Sequence, residues 1–218
     1  MRAAAARVAP AREPEHVEHV EDAILTGPGG ELPVRTYTPS GWSAIGGGSL
    51  VYFHGGGWVF GDLDTHDVPC RALANASRLR VMAVQYRLSP ESPHPAALAD
   101  AWAAVEWMTG QGSGPLFVGG DSAGGHIAAC MSARARDSGL RLAGQLLVYP
   151  VTDLSRFDTP SSVTYAAGHC LTLAAMEWFR GHYLAHSTAR EAPVLSPLYL
   201  ADLSGIPPPS AAPARSTF

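Results

Sequence analysis

The sequence predicts an α/β fold, a mostly parallel sheet with helices on both faces. Short apolar runs of strand length alternate with helix-length amphipathic stretches between residues 50 and 149. Those runs are continuously apolar rather than alternating, as in strands covered on both sides. Glycine-rich loops follow two of them, at 54–57 and 120–125. Such sheets build their sites beyond the carboxyl ends of the strands.

The elements follow in order. Residues 1–16, rich in Ala, Arg, Pro and Glu, read as a loosely ordered arm. A β-type run covers Val17–Leu25, a Gly-rich turn Gly27–Gly30, and a second alternating run Leu32–Tyr37 that stops at Pro39. Leu50–Phe53 reads as a strand, His66–Leu79 as a helix and Val81–Gln85 as a strand. Pro95 opens a helix to about Met108, with Ala97, Leu98, Ala101, Val105 and Met108 at helical spacing. Leu116–Gly119 is a strand, Ala123–Arg136 a helix and Gln145–Tyr149 a strand. Leu173–Ala185 has the pattern of a helix carrying Trp178 and Phe179. Five prolines fall from Pro193 to Pro209 and Pro213 follows, so nothing after Gly205 reads as a central strand.

The 218 residues suffice for one domain with a sizeable core. Hydrophobic residues make up 46% and charged residues 16%, which excludes a disordered chain. A net charge of −4, with no basic run, gives no electrostatic case for nucleic acid or an anionic membrane. No stretch approaches the roughly 18 apolar residues of a membrane span, and the N-terminus lacks an apolar signal region, so a cytoplasmic location is expected. Cys70, Cys130 and Cys170 are odd in number and widely spaced, which suggests neither a disulfide framework nor a zinc site.

The strongest local signal is Gly120-Asp121-Ser122-Ala123-Gly124, a G-x-S-x-G pattern between a strand and a helix. The physical demand is a tight turn that lifts the serine Oγ above the sheet, with small residues on either side so that strand and helix can approach. The helix behind it aims its N-terminal dipole and free N–H groups at the site. Roughly 0.2 such matches arise by chance in a chain of this composition, so a second motif is needed. His54-Gly55-Gly56-Gly57-Trp58 supplies it, directly after a buried strand. A glycine linker would not normally follow a strand and run into Trp-Val-Phe. Backbone N–H groups of Gly56 and Gly57, with that of Ala123, would form an oxyanion hole for a reaction in which Ser122 is the nucleophile.

These motifs, with VQYRLSPESPHPAALADAWAAVEW (84–107), LLVYPVTD (146–153) and SPLYLADLSGIPP (196–208), resemble the hormone-sensitive-lipase-like bacterial esterases of the α/β-hydrolase fold. The resemblance covers about Val17 to Pro208. It implies hydrolysis of small carboxylic esters through an acyl-Ser122 intermediate, with no metal or organic cofactor, and favours short or medium acyl chains. His54 would shape the loop, Asp121 would be the structural acid of the motif, and Tyr86, Arg87 and Glu91 would buttress the fold. Trp58, Phe60 and Trp107 are candidates for lining or supporting an acyl pocket, with core packing the expected role of Trp107. A lid-like insertion is expected around 155–190.

A serine nucleophile needs a base and a carboxylate to orient it, in the order Ser, acid, His. In the resembled family both come after the segment matching Leu203–Pro208. Here residues 209–218 read PSAAPARSTF, an irregular tail, so the sheet is expected to lack its last strands through truncation or frameshift. The edge at Gln145–Tyr149 would then stand uncovered and the product would be poorly soluble. Asp153 with His169 or His182 is a substitute pairing, against which stands a loop aspartate that caps the next segment. His126 is expected to face its own packing, and His186 to belong to the lid. Two other readings compete with the impaired esterase. One is a non-catalytic ligand-binding protein, like the plant hormone receptors of this family that keep the glycine motifs and lose the histidine. The other is a degraded fragment.

Overall fold

The structure, a computed structural model, describes residues 13–112, 114–169, 171–185 and 189–212. Seven strands form one sheet: β1 (His19–Gly27), β2 (Gly30–Thr38), β3 (Ser49–Phe53), β4 (Arg80–Val84), β5 (Leu116–Asp121), β6 (Gly144–Val148) and β7 (Pro209–Ala212). Their spatial order is β1-β2-β4-β3-β5-β6-β7. β1 and β2 form an antiparallel hairpin closed between Gly27 and Gly30, and β2 runs antiparallel to β4. From β4 to β7 every pairing is parallel.

The period of two along a strand sorts side chains onto two faces. Leu50 and Tyr52 of β3, with Val81 and Ala83 of β4, pack with Tyr37 against Cys70 and Ala74 of α1 (Asp67–Ser77). The alternate residues Val51, Phe53, Met82 and Val84 join Val118 of β5 in the larger core. That core is closed by α2 (Ala96–Thr109) and α3 (Ala123–Ser138). Every residue of β3 is buried, which is why its sequence is apolar without alternation. Two further helices, α4 (Pro160–Thr164) and α5 (Leu173–Leu184), occupy the stretch expected to form a lid-like insertion. Thr159 and Thr172 cap them by accepting from Ser162 N and Ala175 N.

Asp100 lies on the apolar stripe of α2 and is 1% exposed. Its carboxylate takes Nε of Arg87 at 2.9 Å and Nη2 at 2.8 Å, and also the Arg87 backbone N–H. Losing the Arg87 side chain would leave the buried carboxylate without its counter-charge, with the backbone N–H of residue 87 still bonded to it, at a cost of up to about 3–5 kcal/mol. Tyr86 donates its O–H to the His54 carbonyl at 2.7 Å. Trp107, expected in the core, is 38% exposed on α2. Its neighbours Val105 and Met108 take the buried positions of that turn.

The tail departs from expectation. Residues 209–212 are not irregular: they form β7, paired with β6 from Gln145↔Pro209 to Val148↔Ala212. Proline is tolerated because Pro209 is the first residue of a strand at the sheet edge. The edge of β6 is therefore covered, and the outermost ladder belongs to β7. Gln145 Nε2 adds a hydrogen bond to the Pro207 carbonyl at 2.8 Å. The expected arm falls mostly outside the described residues, but Glu15 and His16 rest on α1, where Asn75 Nδ2 donates to Glu15 Oε2 at 3.1 Å and His16 O at 3.0 Å. Cys170, His186 and residues 213–218 also lie outside the described residues.

Deleting residues 209–218 is expected to uncover β6 and lower the unfolding temperature by about 2–4 °C or more. Thermal melts read this directly, and a melt unchanged by the deletion would show that β7 adds nothing to the sheet.

Candidate active site

The parallel ladder of β3 and β5 places Phe53 opposite Gly120. The glycine loop starts one residue after Phe53 and the serine turn two residues after Gly120, so both motifs emerge side by side at the carboxyl edge of the sheet. Ser122 has φ 54° and ψ −115°, a conformation that non-glycine residues rarely adopt. Backbone bonds hold it there. Ser122 N donates to Val148 O at 2.9 Å, while Ser122 O accepts from His126 N at 3.1 Å and Val151 N at 3.2 Å. A Cβ on Gly124 would collide with the Phe53 carbonyl oxygen, so only glycine lets α3 sit this close to β3.

The glycine loop is a second strained turn. Gly56 has φ 115° and Gly57 φ 62°, and Trp58 continues at φ 61°. The Gly56 carbonyl accepts from Val59 N at 3.1 Å and Phe60 N at 2.8 Å. No acceptor among the described residues takes the N–H of Gly56 or Gly57. The Ala123 N–H opens α3 and has no acceptor within the helix.

Asp121 ties the two turns together. Its Oδ1 accepts from Gly55 N at 3.0 Å and from the Tyr52 hydroxyl at 2.8 Å, and His66 Nε2 lies at 3.5 Å. Tyr149 O–H reaches Oδ2 at 3.5 Å. Burial raises the pKa of this carboxyl, but the bonds from His66, Tyr52 and Gly55 outweigh it and hold the group below the usual range. Sequence reasoning gave Asp121 its structural role and missed its partners Tyr52, His66 and Tyr149. Tyr52 carried a signal, as a polar tip inside an otherwise apolar strand.

His54 is buried beneath the loop, stacked on Tyr86 with ring centroids 4.3 Å apart. Its Nδ1 contacts Gly55 O at 2.7 Å. Burial pushes its pKa down to about 4 against that hydrogen bond, so the ring is neutral near pH 7. Trp58 is buried and stacks on Tyr183 of α5 at 4.4 Å. Phe60 meets Trp178 and Phe179 at 6.0 and 5.6 Å, and the Phe179 ring occupies the space where a Cβ on Gly57 would project. A cavity of about 460 Å³ opens beside the loop, lined by Gly55, Gly56, Phe60, His66, Leu88 and Asp121 among others. A cavity of about 330 Å³ at the opposite ends of the strands, against Ser49, Met108 and Leu116, is remote from these groups.

The alternative bases do not converge. Asp153 accepts from Ser155 N at 2.7 Å, Ser155 Oγ at 2.6 Å and Tyr199 O–H at 3.3 Å, the behaviour of a loop aspartate capping its own turn. His169 packs on Tyr165 and His182 on Trp178, so neither pairs with Asp153. His126 is fully buried with Nε2 at 2.9 Å from the Leu195 carbonyl. Among the described residues, no side chain is hydrogen-bonded to Ser122 Oγ. Cys70 and Cys130 are buried free thiols, and no cluster of three or more His, Cys, Asp or Glu could hold a metal ion among the described residues. No helix among them is long and apolar enough to cross a membrane.

A strained serine thus stands at the end of a central parallel strand, beside a glycine loop from the neighbouring strand. The family model of the alpha/beta hydrolase fold matches residues 50–212. The chain belongs to the α/β-hydrolase family, in its esterase/lipase branch. It is similar to the carboxylic ester hydrolase LipN of Mycobacterium tuberculosis, 42% identical over 206 residues, 88% of this chain and 54% of that protein. The esterase LipI of the same organism is 40% identical over 207 residues, 90% of this chain and 64% of that one. An ester hydrolase from the metagenome of Lake Arreo superposes with a TM-score of 0.89 at 39% identity, covering 95% of this chain and 69% of that one. This α/β-hydrolase chain thus spans between half and two thirds of the length of the two curated relatives.

Two outcomes follow from the site. Asp121→Ala would leave the Gly55 N–H and Tyr52 O–H without their acceptor and is expected to cost about 1–3 kcal/mol. Urea unfolding measures it, and an unshifted midpoint would show that the carboxylate does not tie the turns. His54 and His126 both titrate near pH 4 in the fold because burial disfavours their charged forms. The unfolded chain, with histidine near 6.5, binds more protons between these values. Stability is therefore complete above about pH 6.5 and falls as pH drops toward 4, by about 3 kcal/mol for each imidazole. Chemical unfolding at pH 7.5, 5.5 and 4.5 checks the sign; stability flat over that range would mean the rings are not buried neutral.

Proposed function

We propose that the chain carries the acyl-transfer centre of a carboxylic ester hydrolase, with Ser122 as nucleophile. The observation that carries this reading is the backbone of Ser122, held at positive φ between β5 and α3 beside the glycine loop that Asp121 ties to it. Ser122 Oγ would attack the ester carbonyl carbon. The oxygen of the tetrahedral intermediate would take N–H bonds from Gly56, Gly57 and Ala123, the alcohol would leave, and water would release the acid from acyl-Ser122. The names of the relatives as ester hydrolases support the substrate class. No cofactor enters this scheme.

Attack needs a proton acceptor. The described residues bring no imidazole to Ser122 Oγ, so the 218-residue chain should turn over esters slowly, with about 10³–10⁴ over water left from binding and the oxyanion donors. A fluorophosphonate probe is expected to label Ser122, and Ser122→Ala to abolish the label. Once the enzyme-free hydrolysis by imidazole itself is subtracted, turnover of p-nitrophenyl acetate should be weak, and the remaining increment with added imidazole should be present in the wild type and absent in Ser122→Ala. Labelling undiminished by Ser122→Ala would remove the serine from the mechanism.

A further inference from the structure

Two buried polar atoms next to the site lack partners, and their chemistry is complementary. Trp58 Nε1 and His126 Nδ1 are both shielded from solvent and neither meets a hydrogen-bonding group among the described residues. An indole nitrogen can only donate. His126 Nε2 faces the Leu195 carbonyl at 2.9 Å, so it carries the proton. That leaves Nδ1 as an acceptor in the neutral ring. Cys130 Sγ lies on the already protonated side, 3.6 Å from Nε2, and is itself turned to the Val194 carbonyl at 3.4 Å.

The rings place the two atoms' side chains together. Trp58 and Tyr183 are stacked with centroids 4.4 Å apart and an angle of 11°. His126 is 5.3 Å from Trp58 and 5.9 Å from Tyr183, nearly perpendicular to both. Near-equal distances put His126 alongside the stack, against its edges, and not at its end. One unpaired donor and one unpaired acceptor thus share a buried wall, whereas more than about 90% of such groups in folded proteins are satisfied.

We propose that His126 is a positioning residue for the oxyanion loop, its Nδ1 taking the Trp58 indole N–H through one internal water while its Nε2–H holds the Leu195 carbonyl. Trp58 directly follows Gly57 and sits at φ 61°, a backbone state that persists only where the surroundings enforce it. Tyr183 clamps one face of the indole, and the His126 link fixes its edge. The Trp58 carbonyl, accepting from Ser89 N at 2.8 Å, is the third restraint. His126 thereby connects three segments: the first turn of α3 behind Ser122, the loop at 54–58, and the chain at Leu195. Burial supports the neutral ring this needs, since it pushes the imidazole pKa down to about 4, while the Leu195 carbonyl selects the tautomer.

The catalytic side of this inference rests on Ser122 being the nucleophile; the link itself does not. Trp58→Phe removes the donor, His126→Leu removes both histidine bonds, and His126→Asn keeps one donor and one acceptor. Each of the first two is expected to lower the melting temperature by roughly 2–8 °C. Each should also slow fluorophosphonate labelling of Ser122 about tenfold, through the maximal rate of inactivation and not through probe affinity. The double variant should be no worse than the poorer single one, because both remove the same link. His126→Asn should recover most of the labelling rate. A high-resolution crystal structure should show the bridging water, and a direct N–H···N bond would support the same role. Additive losses, an Asn variant as slow as Leu, or neither bond nor water between the rings would overturn the proposal. If the wild type takes no label even with imidazole added as the missing base, the nucleophile assignment fails, and the melting temperatures of the single and double variants still decide the link.

Discussion

The pairing of β3 with β5 is the constraint on which the rest of the site depends. A parallel ladder that sets Phe53 beside Gly120 brings two chain segments to the same height at the sheet edge. Each then turns sharply, and the turns are joined by the carboxylate between them: Asp121, one residue before the serine, grips the N–H of Gly55, the first glycine of the loop. A slip of one residue would turn the apolar faces of β3 over and separate these partners. The burial of all five β3 residues, four of them divided between two cores, makes such a slip costly.

The strain in the site is held by packing rather than by caps. Ser122, Trp58 and Gly56 all sit at positive φ within a few residues of the strand ends. Ser122 is fixed by three backbone hydrogen bonds, two of them to the 148–151 segment. The glycine loop is held from below by His54 on Tyr86 and from the side by Trp58 on Tyr183. α5 therefore contributes to the geometry of a turn more than a hundred residues earlier, through Tyr183 and Phe179.

Most of the central architecture was legible because each element carried its own period. The runs at 50–53, 81–85 and 116–119 became β3, β4 and β5 with boundaries shifted by one or two residues. The two glycine motifs marked the candidate site because backbone turns of this kind restrict residue type strongly, and the structure brings them side by side at the sheet edge. Three things escaped. β7 was hidden because Pro209-Ser-Ala-Ala has no strand propensity and is recruited by the waiting edge of β6. The short helix α4 was hidden because five residues carry no readable period. The partners of Asp121 were hidden because hydrogen bonds between distant side chains leave no local pattern. Asp100 was detectable, since a carboxylate on the buried stripe of α2 requires a partner.

The Asp121 bonds to Gly55 and Tyr52 span 66 and 69 residues of chain. Neither motif can acquire its working shape from local sequence, because the loop waits for a carboxylate that is synthesised long after it. Closing so large a loop is entropically unfavourable until β3, β4 and β5 have assembled. During synthesis, the glycine segment must therefore leave the ribosome unsupported and remain so until the turn at Ser122 has emerged. The shape of both turns thus depends on a central sheet that is already in place.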